Sequence, residues 1–151
     1  MNKLFALISL AAVIAACGHK KIATDNNVAE KKGVLSMYAS WVKPKGNKYD
    51  MKFHIRNLSD KAIIVKFGDV NCYRGDHTGT VKYTFFNTGE RTIDMAPGQE
   101  KAANMVCSFG GETTGDFKVV IHRVFENPSN DGKTTGNVMA KEIIWEQKDV
   151  E

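Results

Sequence analysis

The chain has 151 residues, with Lys+Arg 21 against Asp+Glu 17, a formal net charge of +4 and three Cys. That length suits one domain with an appended segment, large enough to bury about two-thirds of its unfolded surface. The basic excess is small, and no Lys/Arg run is interleaved with aromatics, which argues against nucleic acid as a partner.

The first element is apolar. Met1-Asn2-Lys3 gives a positive end, Leu4 to Ile14 is an uncharged run, and Ile14-Ala15-Ala16-Cys17 places two small residues before a cysteine. A charged start, an apolar stretch of about 7–15 residues and a small-residue cleavage site make a secretory signal peptide. The run is too short for a permanent span, which needs about 20 apolar residues. An apolar residue, two small residues and Cys resembles the lipobox of bacterial lipoproteins. That resemblance implies that residues 1–16 are removed and that Cys17 becomes an acylated first residue. It would carry a diacylglyceryl thioether and usually a further fatty chain such as palmitate, because a single acyl chain holds a protein to a membrane only marginally. It also implies a membrane as partner through the anchor. Gly18 stands where an Asp commonly retains such proteins at the inner membrane. The expected location is therefore the outer membrane, facing the periplasm or the cell surface.

Residues 17–32 continue as a polar stretch without periodicity, GHKKIATDNNVAEKK after Cys17, and read as a flexible tether. Positive charge concentrates here and just beyond. Gly18 to Lys52 holds Lys20, Lys21, Lys31, Lys32, Lys43, Lys45, Lys48 and Lys52 against Asp25, Glu30 and Asp50. Near a lipid anchor such charge is drawn to anionic headgroups, by about 1 kcal/mol per Lys at the surface.

Alternation begins with the domain, residues 33–151. Leu35, Met37, Ala39 and Trp41 fall on one face of a strand, with Ser36, Tyr38 and Ser40 on the other. After the Pro44-Lys45-Gly46-Asn47 turn, Tyr49, Met51, Phe53 and Ile55 alternate with Asp50, Lys52, His54 and Arg56. Period two with one polar face describes a half-buried antiparallel strand. A third strand follows over Ala62 to Phe67. Gly68 to Gly79 reads as a Gly- and Asp-rich connection, and Val81, Tyr83 and Phe85 mark a fourth strand. Arg91 to Met95 is a short fifth, and Ala96-Pro97-Gly98-Gln99 is a strong turn signal. Lys101 to Phe109 alternates through Ala103, Met105, Cys107 and Phe109. In Asp116 to Phe125, Phe117, Val119, Ile121 and Arg123 share a face. A loop from Asn127 to Gly132 precedes Asn137 to Lys148, where Met139, Lys141, Ile143 and Trp145 share a face.

Seven to eight short strands separated by turns, with no amphipathic helix after the leader, predict an all-β antiparallel sandwich or barrel. Phe53-His54-Ile55-Arg56-Asn57 and the later Ala96-Pro97-Gly98-Gln99 are similar to small bacterial immunoglobulin-like envelope domains. That resemblance implies an immunoglobulin-like β-sandwich, although no Trp lies between Cys72 and Cys107. With Cys17 acylated, Cys72 and Cys107 remain as an even pair, which in an exported protein reads as a disulfide.

The chemistry-bearing residues make no familiar pattern. His19, His54, His77 and His122 lack metal-ligand spacing. Cys107 has no nearby His for a copper site, and its methionines read as core. Asp69, Asn71 and Asp76 resemble part of a calcium loop but lack its closing Glu. No nucleophile motif appears, and Arg74-Gly75-Asp76 matches an adhesion tripeptide only in form. No cofactor and no catalysis are expected. The candidate binding surface is the row Lys52, His54 and Arg56, beside Tyr38 if the first two strands pair. The expectation is a lipid-anchored, non-catalytic protein that binds an envelope protein or cell-wall component. Two alternatives are a protease inhibitor using loop Asn127 to Gly136 or Gly68 to Gly79, and a hydrolase with unrecognised carboxylates.

Overall fold

The computed structural model describes residues 33–83 and 91–147. The leader, Cys17, the tether and Phe85 lie outside the described residues. Among the described residues there are nine strands: β1 (Leu35–Lys45), β2 (Lys48–Asn57), β3 (Ile63–Lys66), β4 (Val70–Arg74), β5 (His77–Tyr83), β6 (Thr92–Met95), β7 (Glu100–Ser108), β8 (Phe117–Glu126) and β9 (Val138–Gln147). A 3-10 turn, Phe67–Asp69, separates β3 from β4.

All strand pairs are antiparallel, and they form two layers. One contains β1-β2-β7 and the second half of β5, where Thr80 to Tyr83 pairs with β7. The other is built around β8. Strand β9 lies on one side of β8, and β4 and β3 lie end to end along the other. Strand β6 extends that layer from β3, and the first half of β5 pairs with β4. β5 therefore passes from one sheet to the other. The expected all-β antiparallel sandwich is present.

The count exceeds the predicted seven to eight because residues 68–79 are not a connection. Val70 and Cys72 alternate inward between polar neighbours, and a tight turn at Gly75-Asp76 folds β4 onto β5. Gly and Asp marked the turn of a hairpin there, and short strands on both sides were hidden by it.

Strands β2 and β7 follow the expected alternation: Tyr49, Met51, Phe53 and Ile55 are buried, as are Ala103, Met105 and Cys107. Strand β1 departs from it. Ala39 faces Phe53, but the next aligned pair is Trp41 with Lys52, so Ser40 is an extra residue in the ladder. The β-bulge shifts the inward phase by one. Val42 enters the core and Trp41 does not, which corrects the predicted Leu35–Trp41 face. The inward phase also changes along β8 and β9. Val124 takes the core place predicted for Arg123, which is exposed, and Lys141 is likewise exposed. The register irregularity lies near Val124/Phe125, and Glu142 across the pair adopts a left-handed φ of 51°.

Trp145 fills the centre of the core and is fully buried. It meets Phe53 and Phe117 edge to face at centroid distances of 5.0 and 6.0 Å. Cys72 of β4 and Cys107 of β7 are joined by a disulfide, both fully buried, with Cα atoms 6.3 Å apart. The bridge thus ties the two layers together. The large core Trp comes from β9, outside the Cys72–Cys107 interval where none was found in the sequence.

The connection from β2 to β3 and the predicted Ala96-Pro97-Gly98-Gln99 turn meet at one end. Asn57 is fully buried. Its Nδ2 donates to the carbonyls of Lys61, Met95 and Ala96 at 2.7, 3.2 and 3.1 Å, and its Oδ1 accepts from the Ser59 N–H at 2.9 Å. Pro97-Gly98 forms the expected turn, closed by Gln99 N–H to Ala96 O at 3.1 Å with Gly98 at φ 73°. One amide side chain therefore satisfies the backbone of two connections.

Candidate functional site

The outward side of β1-β2-β7 carries the predicted surface. Register sets its rows: Ser36 beside Arg56 and Glu100, Tyr38 beside His54 and Ala102, Trp41 beside Lys52 and Asn104. Lys43, Asp50, Val106 and Lys82 make the next row. Pairing of β1 with β2 places Tyr38 against the basic row, as the sequence suggested.

Tyr38 stacks on His54 with centroids 4.6 Å apart and planes 10° from parallel. The Tyr38 hydroxyl donates to Glu100 Oε1 at 3.1 Å, and His54 Nδ1 lies 3.0 Å from the same oxygen. Partial burial, and then the Glu100 carboxylate, raise the Tyr38 phenol above its usual range. On the other side of the ring, His54 Nε2 is 3.1 Å from Ser40 Oγ. The ring thus bridges the Glu100 carboxylate and the Ser40 hydroxyl, which also donates to the Lys52 carbonyl at 3.4 Å. Glu100 and Ser40 were not among the predicted site residues. Glu100 comes from β7, distant in sequence, and Ser40 is set beside His54 by the bulge.

Lys43, Lys52, Arg56 and Lys82 make no ion pair among the described residues, whereas Lys45 is paired with Asp50 and Lys101 with Asp94. The face is thus positive, with Tyr38 36% exposed and Trp41 half-buried among the cations. Trp41 is the functional candidate that strict alternation misassigned to the core. A run of alternating residues does not reveal where an extra one enters.

Other candidates are dispersed or engaged. Asp69 Oδ1 accepts from Arg123 Nε and Nη2 at 3.1 and 2.6 Å, so the carboxylate of the calcium-like sequence holds a guanidinium. Asn71 instead joins Tyr73 and His122 at 3.3 and 3.2 Å. Among the described residues no group of three or more His, Cys, Asp or Glu could hold a metal. Arg74 lies over the Tyr49 ring at 5.1 Å, and its Nε is buried, so the adhesion-like tripeptide does not project its cation. Of the two proposed inhibitory loops, residues 68–79 form the β4–β5 hairpin. The loop after β8 is tied to β6 by the Thr92 hydroxyl donating to Gly132 O at 2.9 Å. Between the sheets, a cavity of about 10 Å³ beside Met37, Phe53 and Ile121 has room for about one water.

Together these features define a disulfide-stapled antiparallel β-sandwich with a polar, aromatic-bearing face on one sheet. No protein-family model matches the chain, and no curated protein matches it. Among solved structures it is similar to that of "a putative lipoprotein (ycdA) from Bacillus subtilis subsp. subtilis str. 168", with a TM-score of 0.55 and 9% identity. The match covers 82% of this chain and 39% of that one, so this chain spans about two-fifths of that protein's length. At this identity the likeness is one of fold.

Proposed function

We propose that this is a lipid-anchored protein of the bacterial cell envelope, at the outer membrane, whose immunoglobulin-like sandwich binds a partner without catalysis. The observation that carries this reading is the division of the cysteines. Cys72 and Cys107 are consumed by the inter-sheet bridge, and Cys17 alone of the three stands at the end of a lipobox. A cystine in the core suits an oxidising compartment. The description of the Bacillus subtilis neighbour as a lipoprotein agrees with this assignment. The immunoglobulin-like assignment rests on the antiparallel two-layer sandwich and the cystine between its layers, while the core Trp145 comes from the last strand. The binding surface is the outward side of β1-β2-β7, with Tyr38, Lys52, His54 and Arg56.

Mass spectrometry of the membrane fraction tests the reading. The N-terminal peptide is expected to begin at acylated Cys17, and Cys72 and Cys107 to be recovered as one cystine. A freely soluble chain that keeps residues 1–16 would end this proposal.

One observation favours a second reading, a serine hydrolase. Ser40, His54 and Glu100 stand in the order of nucleophile, base and orienting carboxylate, with the base reached through Nε2 and oriented through Nδ1. A fluorophosphonate probe separates the two readings. Labelling of Ser40 that vanishes in His54→Ala would make the protein a hydrolase, and an unlabelled Ser40 supports the binding role.

A further inference from the structure

The composition of the β1-β2-β7 face narrows what it can hold. Across its four rows the non-polar side chains are Tyr38, Trp41, Ala102 and Val106, with no Leu, Ile or Met. Protein interfaces concentrate apolar packing at a fully buried centre. Here the rings stand instead among Ser36, Ser40, Lys52, His54, Arg56 and Asn104, all capable of hydrogen bonding. Sugars are built in the matching way, with C–H groups on the ring face and hydroxyls around the rim. The surface is also an open sheet, which suits an extended polymer better than a small molecule needing enclosure.

Charge selects among sugars. Lys43, Lys52, Arg56 and Lys82 make no ion pair among the described residues, while the carboxylates on this face, Asp50 and Glu100, are engaged by Lys45 and by Tyr38 and His54. The four unpaired cations surround the aromatic rows, and Arg56 carries the planar fork that fits carboxylate or phosphate groups. The bulge at Ser40 matters here, because it keeps Trp41 on the same side as Tyr38 while sending Val42 into the core. Bulges commonly re-aim a side chain in this manner.

We propose that the outward face of β1-β2-β7 binds an anionic polysaccharide, with sugar rings resting on Trp41 and Tyr38 and acidic groups meeting Lys43, Lys52 and Arg56. This names the ligand class of the binding surface proposed above and rests on that reading only for the ligand's presence in the envelope.

The test uses the full-length acylated protein in detergent micelles, offered immobilised polygalacturonate, neutral dextran and poly-aspartate. Polygalacturonate is expected to retain the protein, and dextran and poly-aspartate to retain it at least about tenfold less, the scale of one lost stacking contact. Trp41→Ala and Tyr38→Ala should each weaken polygalacturonate binding by about tenfold on the same scale, with unchanged thermal unfolding and recovery in Trp41→Phe. Lys52→Glu with Arg56→Glu should abolish binding.

Equal capture by poly-aspartate would overturn the proposal in favour of an acidic protein partner. Binding untouched by both aromatic variants, or no binding to polygalacturonate, would also overturn it. The envelope reading survives those outcomes if Cys17 is acylated. Conversely, an unacylated protein that binds polygalacturonate would keep this inference and lose the envelope one.

Discussion

Gly79 shows how a single residue can be fixed by its surroundings. It lies opposite Cys72, and a Cβ there would sit 2.8 Å from Cys72 Sγ and 2.8 Å from a Phe109 ring carbon. The cystine and Phe109 are both buried, so neither has open space to yield into. Gly79→Ala should therefore destabilise the fold by about 1–3 kcal/mol, the usual cost of overpacking. Thermal unfolding would show it as a lower midpoint, and an unchanged midpoint would refute the packing argument. Asp131 belongs to the same scale. Its Oδ1 accepts from the Lys133 and Thr134 N–H groups at 2.8 and 2.7 Å, and its Oδ2 accepts from the Thr134 hydroxyl at 2.6 Å. Those bonds, the Thr134 hydroxyl foremost, lower its pKa from 3.8 to about 2. A depressed acid stabilises the loop above its unfolded value and loses that contribution as pH falls through the folded one. An NMR titration should give an Asp131 midpoint near 2 in the intact protein, and a partial rise in Thr134→Val, which keeps both backbone N–H bonds, would confirm the hydroxyl as the main cause. The sequence showed Asn130-Asp131-Gly132 as a loop tip, and its short-range bonds were within reach of that description. Gly79 was not, because its neighbours come from β4 and from the residue after β7.

Among the elements, β1 carries the clearest lesson. Its residues alternate cleanly as far as Ala39, and the extra Ser40 then changes which residue faces inward. If Ser40 is the inserted residue, its deletion should restore a regular ladder with Trp41 still outward and Val42 still buried. The variant should unfold close to the parent, losing far less than Trp145→Ala, which empties a core site at about 3–5 kcal/mol. A loss as large as the Trp145 one would mean that the bulge is needed for the register. The face of β2 was legible because all five inward positions from Tyr49 to Asn57 are buried in unbroken alternation. β4 and the start of β5 were not, since Val70–Arg74 is only five residues long and adjoins Gly75 and Gly79. Short strands beside glycines have the composition of loops, and only pairing, of β4 with β8 and of β5 with β4, distinguishes them.

For the whole molecule, the cystine joins layers that also share β5, the β2–β3 and β6–β7 connections and the core. Its partners are separated by 35 positions. Closing a loop of that size should contribute about 3–4 kcal/mol in the chain-entropy account. Cys72→Ala with Cys107→Ala should lower the denaturant midpoint accordingly, and an equal midpoint would show that packing alone holds the layers. What the sequence determined by itself was local: the turns, the inward faces of β2 and β7, and hence an antiparallel all-β domain. Those follow from period-two alternation and turn chemistry, which act over a few residues. Tertiary structure alone decided the outward place of Trp41, the meeting of Asn57 with the Pro97-Gly98 turn, and the gathering of Ser40, His54 and Glu100. Each depends on the register between paired strands, β1 with β2 for Trp41 and Ser40 and β2 with the distant β7 for Glu100, and one inserted residue is enough to change it.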